Sequence, residues 1–195
     1  MNNGSSDDFP SLTNQFLIAM PGMGDPRFQH TVTYICEHNE QGAMGIIINH
    51  PLDLKLLDLL QDSEVKQIEI PPDVDVNQPI FLGGPVQQDR GFVVHDASGK
   101  WESTLAVTDQ ICVTTSRDII RAILQGKGPK RTLIAIGYAG WGPNQLEEEI
   151  MHNSWLTVPA DQKILFEMDS SRRWQAAAEA SGVDITHLTA PAGHA

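Results

Sequence analysis

Residues 132–155 read TLIAIGYAGWGPNQLEEEIMHNSW, the most informative stretch of the chain. An apolar run, Leu133-Ile134-Ala135-Ile136, enters Gly137-Tyr138-Ala139-Gly140-Trp141-Gly142-Pro143, and a helical segment with three glutamates follows. The pattern predicts a buried strand, a glycine-rich turn displaying two aromatic rings, and a helix that begins at once. Proteins that alternate strands and helices build pockets at such junctions. In outline the segment resembles a phosphate cradle, because free N–H groups at a helix start attract anions. The details disagree: the spacing is not G-x-G-x-x-G, and no Lys-Ser/Thr pair follows. Glu147, Glu148 and Glu149 already complement the helix dipole and would repel a phosphate. Asn144 and Glu147 have the N-x-x-E spacing of a capping box. The segment is thus either a tight turn closed by a capped helix, or a pocket wall of Tyr138, Trp141 and Trp155 with Gln145 as a polar contact.

Working outward, Ser116–Gln125 is the clearest helix. Ser116 caps it, Ile119, Ile120, Ile123 and Leu124 form its apolar face, and Gly126 ends it. Asn144–His152, Ala160–Phe166 and Ser170–Ser181 also read as helical, as does Leu54–Gln61 with Asp53 as its cap. Strands are predicted over 16–20, 31–38, 43–49, 79–82, 91–95, 105–108, 110–114, 132–138 and 155–158. A four-residue loop, Asn39 to Gly42, would pair 31–38 with 43–49 as a hairpin and set Cys36 opposite Gly45. Ala97-Ser98-Gly99 suits a hairpin tip, and 63–78 a surface connection. Several strands follow one another directly, so hairpins are expected and a purely parallel sheet is not. A mixed sheet with helices around it results.

The chain has 195 residues, enough for one domain with a real core. Residues 1–11 read as a mobile polar arm, 12–184 as the domain and 185–195 as a loose tail. Thirteen Lys+Arg against 25 Asp+Glu leave a net charge of −12, which disfavours nucleic acid as a general partner. Two cysteines, Cys36 and Cys112, make no disulfide framework and fit a reducing cytoplasm. MNNGSSDDFP has neither the charge nor the apolar run of a secretory signal, and no apolar run is long enough for a membrane span.

Candidate chemistry is sparse. Cys36 and His38, two apart in a strand, would share a face with Tyr34 and Val32. They form either an activated thiolate or, more simply, a core thiol beside a strand-end histidine. Glu148 and His152 are four apart on a helix and suit a local pair. No metal-ligand spacing and no nucleophile elbow occur, so no metal, cofactor or catalytic residue is assigned. One basic cluster stands out: Arg117, Arg121, Lys127, Lys130 and Arg131. It reads as a solvated edge or as a docking patch for an acidic partner or an RNA backbone.

The same segments resemble the AlgH/YqgE family of bacterial proteins, described as uncharacterised or as transcriptional regulators. The resemblance rests on Phe16-Leu17-Ile18-Ala19-Met20-Pro21, Asp25-Pro26 with Phe28, and Thr31-Val32-Thr33-Tyr34. It continues through Glu37-His38-Asn39-Glu40-Gln41-Gly42-Ala43-Met44-Gly45, Asn49 and Gly83-Gly84-Pro85-Val86. It ends on Gly137–Pro143, Gln145-Leu146-Glu147, Glu149 and Asn153-Ser154-Trp155, and covers about residues 14–168. Asn144 departs from the glycine usual in that family, and asparagine either tolerates the left-handed conformation or caps the helix. The resemblance implies an α+β fold whose mixed, bifurcated sheet closes into a pseudo-barrel with surrounding helices. It supplies no activity or cofactor. No helix-turn-helix with a basic recognition helix is present to support a regulator that reads DNA.

A cytoplasmic binding or regulatory protein is therefore expected, with an unknown protein or small-molecule partner. Its ligand-binding candidates are Asp25, Phe28, His38, Asn39, Asn49, Tyr138, Trp141, Gln145 and Trp155. Trp141 and Trp155 would pack against a ligand, and Asn39, Asn49 and Gln145 would hydrogen-bond it. A hydrolase or thiol-dependent enzyme using Cys36, His38 or Glu147 is the alternative. A weaker one is nucleic-acid or acidic-partner binding through the 117–131 cluster.

Overall fold

The computed structural model describes residues 10–61 and 68–183. Its strands and helices run β1 (Gln15–Ala19), β2 (Val32–Asn39), β3 (Gly42–Ile47), β4 (Pro51–Lys55), β5 (Pro79–Leu82), β6 (Val86–Asp96), β7 (Thr104–Ala106) and β8 (Ile111–Thr114). Then come α1 (Arg117–Leu124), β9 (Thr132–Trp141), α2 (Gln145–Met151), β10 (Trp155–Pro159), α3 (Gln162–Phe166) and α4 (Ser170–Ala180). The expectations for 1–9 and 184–195, and part of that for 63–78, lie outside the described residues.

β9 is the spine of the sheet. One edge pairs antiparallel with β6, from Thr132 to Tyr138. The other edge is shared. Its first half, Ile134 to Ile136, pairs parallel with β5, and its second half, Ala139 to Trp141, pairs antiparallel with β3. This is the bifurcation. The main path runs β10-β1-β2-β3-β9-β6-β8-β7, and the sheet curls strongly into a half-barrel, as the α+β expectation required.

Gly137, where the two halves meet, has φ +73°, and a Cβ there would lie 2.5 Å from the Gly84 carbonyl oxygen. Only glycine combines that conformation with so close an approach. The β6 pairing slips at the same place, between Val86 and Gly91. The predicted glycine-rich turn is therefore mostly strand. The chain stays extended through Trp141 and turns only at Gly142–Asn144, because β3 and β6 supply partners that propensity could not foresee.

Three apolar clusters hold the fold. Phe16, Tyr34, Ile46, Phe92 and Leu133 meet Leu165 of α3 and Ala177 of α4. Leu17, Ile35, Ala139, Trp141 and Trp155 meet Leu146 of α2. Ile80, Val93 and Ile134 meet Ile119 and Leu124 of α1. Neighbours such as Phe16 and Leu17 enter different clusters because successive strand side chains point to opposite faces. Each large side chain so buried contributes about 1.5–3 kcal/mol.

Other sequence expectations need correction. Residues 54–61 do not form an α-helix capped by Asp53. β4 runs to Lys55, and a 3₁₀ helix follows over Leu56–Gln61. Leu52 and Leu54 are partly buried while Pro51, Asp53 and Lys55 are exposed, a two-residue period that belongs to a strand. The Asp58 carboxylate accepts the Lys55 N–H at 2.8 Å and starts the tighter turn. Ala97-Ser98-Gly99 is no hairpin tip between neighbours, since β6 pairs with β8 and β7 adds outside β8.

The β2–β3 hairpin also has a different register. Asn39 pairs with Gly42 and His38 with Ala43, but Gly45 lies opposite Ile35 and not Cys36. Cys36 is the extra residue of a bulge. One inserted residue reverses the alternation beyond it, so Cys36 joins Tyr34 in the first cluster while His38 faces α2.

His95 in β6 is buried. Its Nδ1–H donates to the Asp96 carbonyl oxygen at 2.7 Å, and its Nε2 lies 2.8 Å from the Thr114 hydroxyl. Burial pushes its pKa below the ordinary histidine value, although Asp96 opposes the shift. A base whose pKa is lowered on folding contributes stability above its unfolded pKa and loses it as pH falls. Unfolding free energy is thus expected to fall as pH drops below about 6.5. His95→Asn should flatten that fall, as read by urea titrations across pH. An unchanged slope would show that His95 is not its source.

Candidate functional site

The site is built where β9 ends. Asn144 has φ +61° and makes no side-chain cap, so the capping box does not form. Asparagine fills the left-handed position of the turn, the other role open to it. Gln145 closes the turn instead. Its N–H donates to the Gly142 carbonyl oxygen at 3.1 Å, and its Oε1 accepts the Gly142 N–H at 3.0 Å.

α2 then carries Glu149 back over the sheet. The Trp141 indole N–H donates to Glu149 Oε2 at 2.9 Å, and the Trp155 indole N–H to the same oxygen at 2.7 Å. Gln145 Nε2 donates to Oε1 at 3.0 Å. One carboxylate thus clamps two buried tryptophans from separate strands. Charge-assisted bonds of this kind are about twice as strong as neutral ones. The rings cross edge to face at 6.0 Å, and Phe28 packs at 5.6 Å from Trp155 and 6.3 Å from Trp141.

The loop between β1 and β2 brings Phe28 there. Its Asp25-Pro26-Arg27-Phe28 turn is closed by the Phe28 N–H on the Asp25 carbonyl oxygen. Arg27 grips the Asp25 carboxylate, with Nη2 at 2.6 Å from Oδ2. The side-chain hydrogen bond from Arg27 holds the Asp25 carboxyl below the usual carboxylate range. Between this loop, the Pro85-Val86 corner and α2 lies a cleft of about 450 Å³. It gathers Asp25, Phe28, Trp141, Gln145 and Trp155, five of the nine residues singled out from the sequence.

The other four lie apart from it. Tyr138 points to the opposite face of the sheet, against Phe92 at 5.5 Å, because it stands three residues before Trp141 in an extended strand. Asn49 Oδ1 accepts the Val32 N–H, and Nδ2 donates to the His30 carbonyl oxygen, each at 2.8 Å. Asn39 closes the hairpin turn by accepting the Gln41 N–H. His38 Nδ1 accepts the Leu12 N–H, and Nε2 donates to Glu147 at 2.9 Å, so the ring proton sits on Nε2. His38 fastens the entry to β1, and Glu147 fastens α2 onto β2.

The Cys36–His38 pairing expected from the sequence is corrected. The bulge separates the two residues, Cys36 is 1 % exposed, and burial pushes its thiol well up. The sulfur meets only the Tyr34 carbonyl oxygen, at 3.6 Å. A nucleophile needs a base in reach and a thiolate, and Cys36 has neither. Glu148 and His152 do not pair through their side chains, since His152 Nδ1–H donates to the Glu148 backbone carbonyl. Among the described residues no three His, Cys, Asp or Glu side chains cluster to hold a metal, and no helix is long and apolar enough to cross a membrane.

The basic cluster is divided. Arg117 and Arg121 are exposed on α1. Lys130 and Arg131 line a separate cavity beyond it, and Arg131 leans over Phe166 with Asp96 4.0 Å away.

Glu149 is the residue that site reasoning from sequence missed. Its signal is visible in retrospect: it stands four residues after Gln145, in a helix bracketed by Trp141 and Trp155.

A family model described as "DUF179: AlgH-like" matches residues 16–186. A UPF0301 protein of Nitrosococcus oceani is 56% identical over 182 residues, covering 93% of this chain and 96% of its own. One of Thioalkalivibrio sulfidiphilus is 55% identical over 189 residues, covering 95% and 97%. The solution structure of the AlgH protein from Pseudomonas aeruginosa superposes with a TM-score of 0.76 at 47% identity, over 100% of both chains. A crystal structure from Corynebacterium diphtheriae reaches a TM-score of 0.71 at 19% identity over 98% and 95%, which speaks to the fold alone.

Proposed function

This chain belongs to the AlgH-like family, and we propose that it is a cytoplasmic binding or regulatory protein whose ligand enters the cleft over Trp141 and Trp155. One observation carries the proposal: two tryptophans are locked by a single carboxylate beneath an open cleft of about 450 Å³. The buried tryptophans form a rigid base on which the partly exposed Phe28 packs, and Phe28 gives a ligand an apolar face at little cost in side-chain entropy; ligand sites combine such faces with a few placed polar groups. Here the polar groups are Gln145 on one wall and the Asp25–Arg27 pair on the other. Val86, 37 % exposed at the rim, offers an apolar contact to a small molecule or a protein side chain. Regulation would then follow from occupancy of the cleft, not from reading DNA.

Native mass spectrometry and thermal-shift screening against a metabolite library and cell extract test the proposal. A bound species is expected that Phe28→Ala and Gln145→Ala each weaken about tenfold, the size of one lost packing or hydrogen-bonding contact. Both side chains sit at the cleft and outside the fully buried core, so the variants should fold. Binding that neither substitution alters would remove the cleft as the site.

A further inference from the structure

A cavity of about 740 Å³ is remote from the tryptophans. It lies between residues 73–81, the turn after α1 and the α3–α4 corner. Arg173 of α4 lines it while only 5 % exposed. Its Nε donates to the Met168 carbonyl oxygen at 3.0 Å and Nη1 to the Ile48 carbonyl oxygen, and the guanidinium lies 5.2 Å from the centre of the Phe81 ring. Among the described residues no carboxylate forms an ion pair with it, and Nη2 has no hydrogen-bond partner. Arg173 reaches the cavity wall from α4, beside Phe81 and Leu133. Burial lowers the Arg173 pKa to about 10, and Asp169 only partly offsets this.

Buried charges are ordinarily paired, because desolvation is costly without a counter-charge. Here two carbonyl dipoles and a ring face stand in for one. Lys130 and Arg131 line the same cavity. We propose that this cavity binds a small oxyanion, the carboxylate or phosphate of a metabolite, with Arg173 at its floor and Arg131 and Lys130 nearer its mouth. With Nε and Nη1 held by the two carbonyls, Nη2 is the guanidinium donor left for an oxyanion, and Lys130 and Arg131 supply further positive charge. Asp73, Asp75 and Glu167 are exposed on the same lining. They leave room for one anionic group but repel an extended polyanion, which sets the site apart from an RNA surface. The site does not depend on the tryptophan cleft.

Calorimetric titrations with inorganic phosphate and, separately, with benzoate at constant ionic strength distinguish the two sources. Saturable one-to-one binding of at least one probe is expected. Arg173→Lys, which loses the Nη2 donor, should weaken it at least about tenfold, as should the Lys130→Ala/Arg131→Gln double variant. Arg121→Ala, on the exposed face of α1, should leave binding unchanged. If Arg173→Lys does not fold, the double variant decides the matter alone. No saturable binding of either probe, or binding that the folded variants leave intact, overturns the proposal. So does tighter binding of a short RNA oligomer that the same double variant abolishes.

Discussion

Glu149→Ala is expected to destabilise the protein by about 2–6 kcal/mol, since each of two buried donors left without an acceptor costs about 1–3 kcal/mol. The carboxylate accepts both indole N–H groups, and Trp141 and Trp155 are only 6 % and 3 % exposed. Little water can reach the donors to replace it. Glu149→Gln keeps an oxygen of the same reach and loses the charge, so a smaller loss is expected. Urea unfolding of the three proteins gives the ordering. If Glu149→Ala costs less than about 0.5 kcal/mol, as an ordinary surface change does, the clamp does not hold the tryptophans. The effect would spread beyond α2, because Trp155 anchors β10 and Trp141 ends the strand on which the sheet bifurcates.

Gly42→Ala is expected to cost about 3 kcal/mol or more, combining backbone strain with overpacking. Gly42 has φ +124°, and a Cβ there would lie 2.1 Å from the Trp141 carbonyl oxygen. That atom belongs to the backbone at the end of β9, which cannot swing aside as a side chain could. The hairpin and the floor of the cleft would be pushed apart together. Gly22→Ala is the control. Nothing lies within 4 Å of its Cβ position, and a change within about 0.5 kcal/mol is expected. Thermal unfolding of both variants is sufficient. Equal melting temperatures for the two would show that β3 and the end of β9 do not meet as closely as described.

The sequence is most legible where local pattern and tertiary partner agree. α1 begins after Ser116 and ends before Gly126, at φ +69°, as its periodicity and the glycine require, but the Ser116 hydroxyl donates to Asp118 and does not cap the helix. The apolar runs of β1, β2 and β9 are strands buried on both faces. Legibility fails where one residue changes the parity of a strand. Cys36 and Gly137 are bulges; a glycine within an apolar strand is a local sign of one, but nothing local separates Cys36 from an ordinary strand residue. Each decides which side chains can meet. The first parts Cys36 from His38 and removes the thiol chemistry, and the second sets the face that Tyr138 takes against Phe92, so the expected aromatic wall loses one of its three rings. Leu54 fails for another reason. A run of leucines fits a helix and a strand edge equally, and the pairing of β4 with β5 settles it. Asn49 looked suggestive because a polar side chain ended an apolar strand. Its partners, Val32 and His30, lie 17 and 19 residues away, beyond the reach of spacing rules. Five of the nine candidates line one cleft because they stand on loops and at element ends, which meet at one end of the sheet.

The most direct test of the cleft is an NMR titration of the ¹⁵N-labelled protein with a ligand recovered from the screen. The four tryptophans supply four indole N–H reporters. Those of Trp141 and Trp155 should shift together on binding, along with the Gln145 side-chain amide and the backbone amides of Asp25 to Phe28. Those of Trp101 and Trp174, which line no part of the cleft, should stay in place. Shifts that leave Trp141 and Trp155 untouched while the protein binds elsewhere would contradict the account.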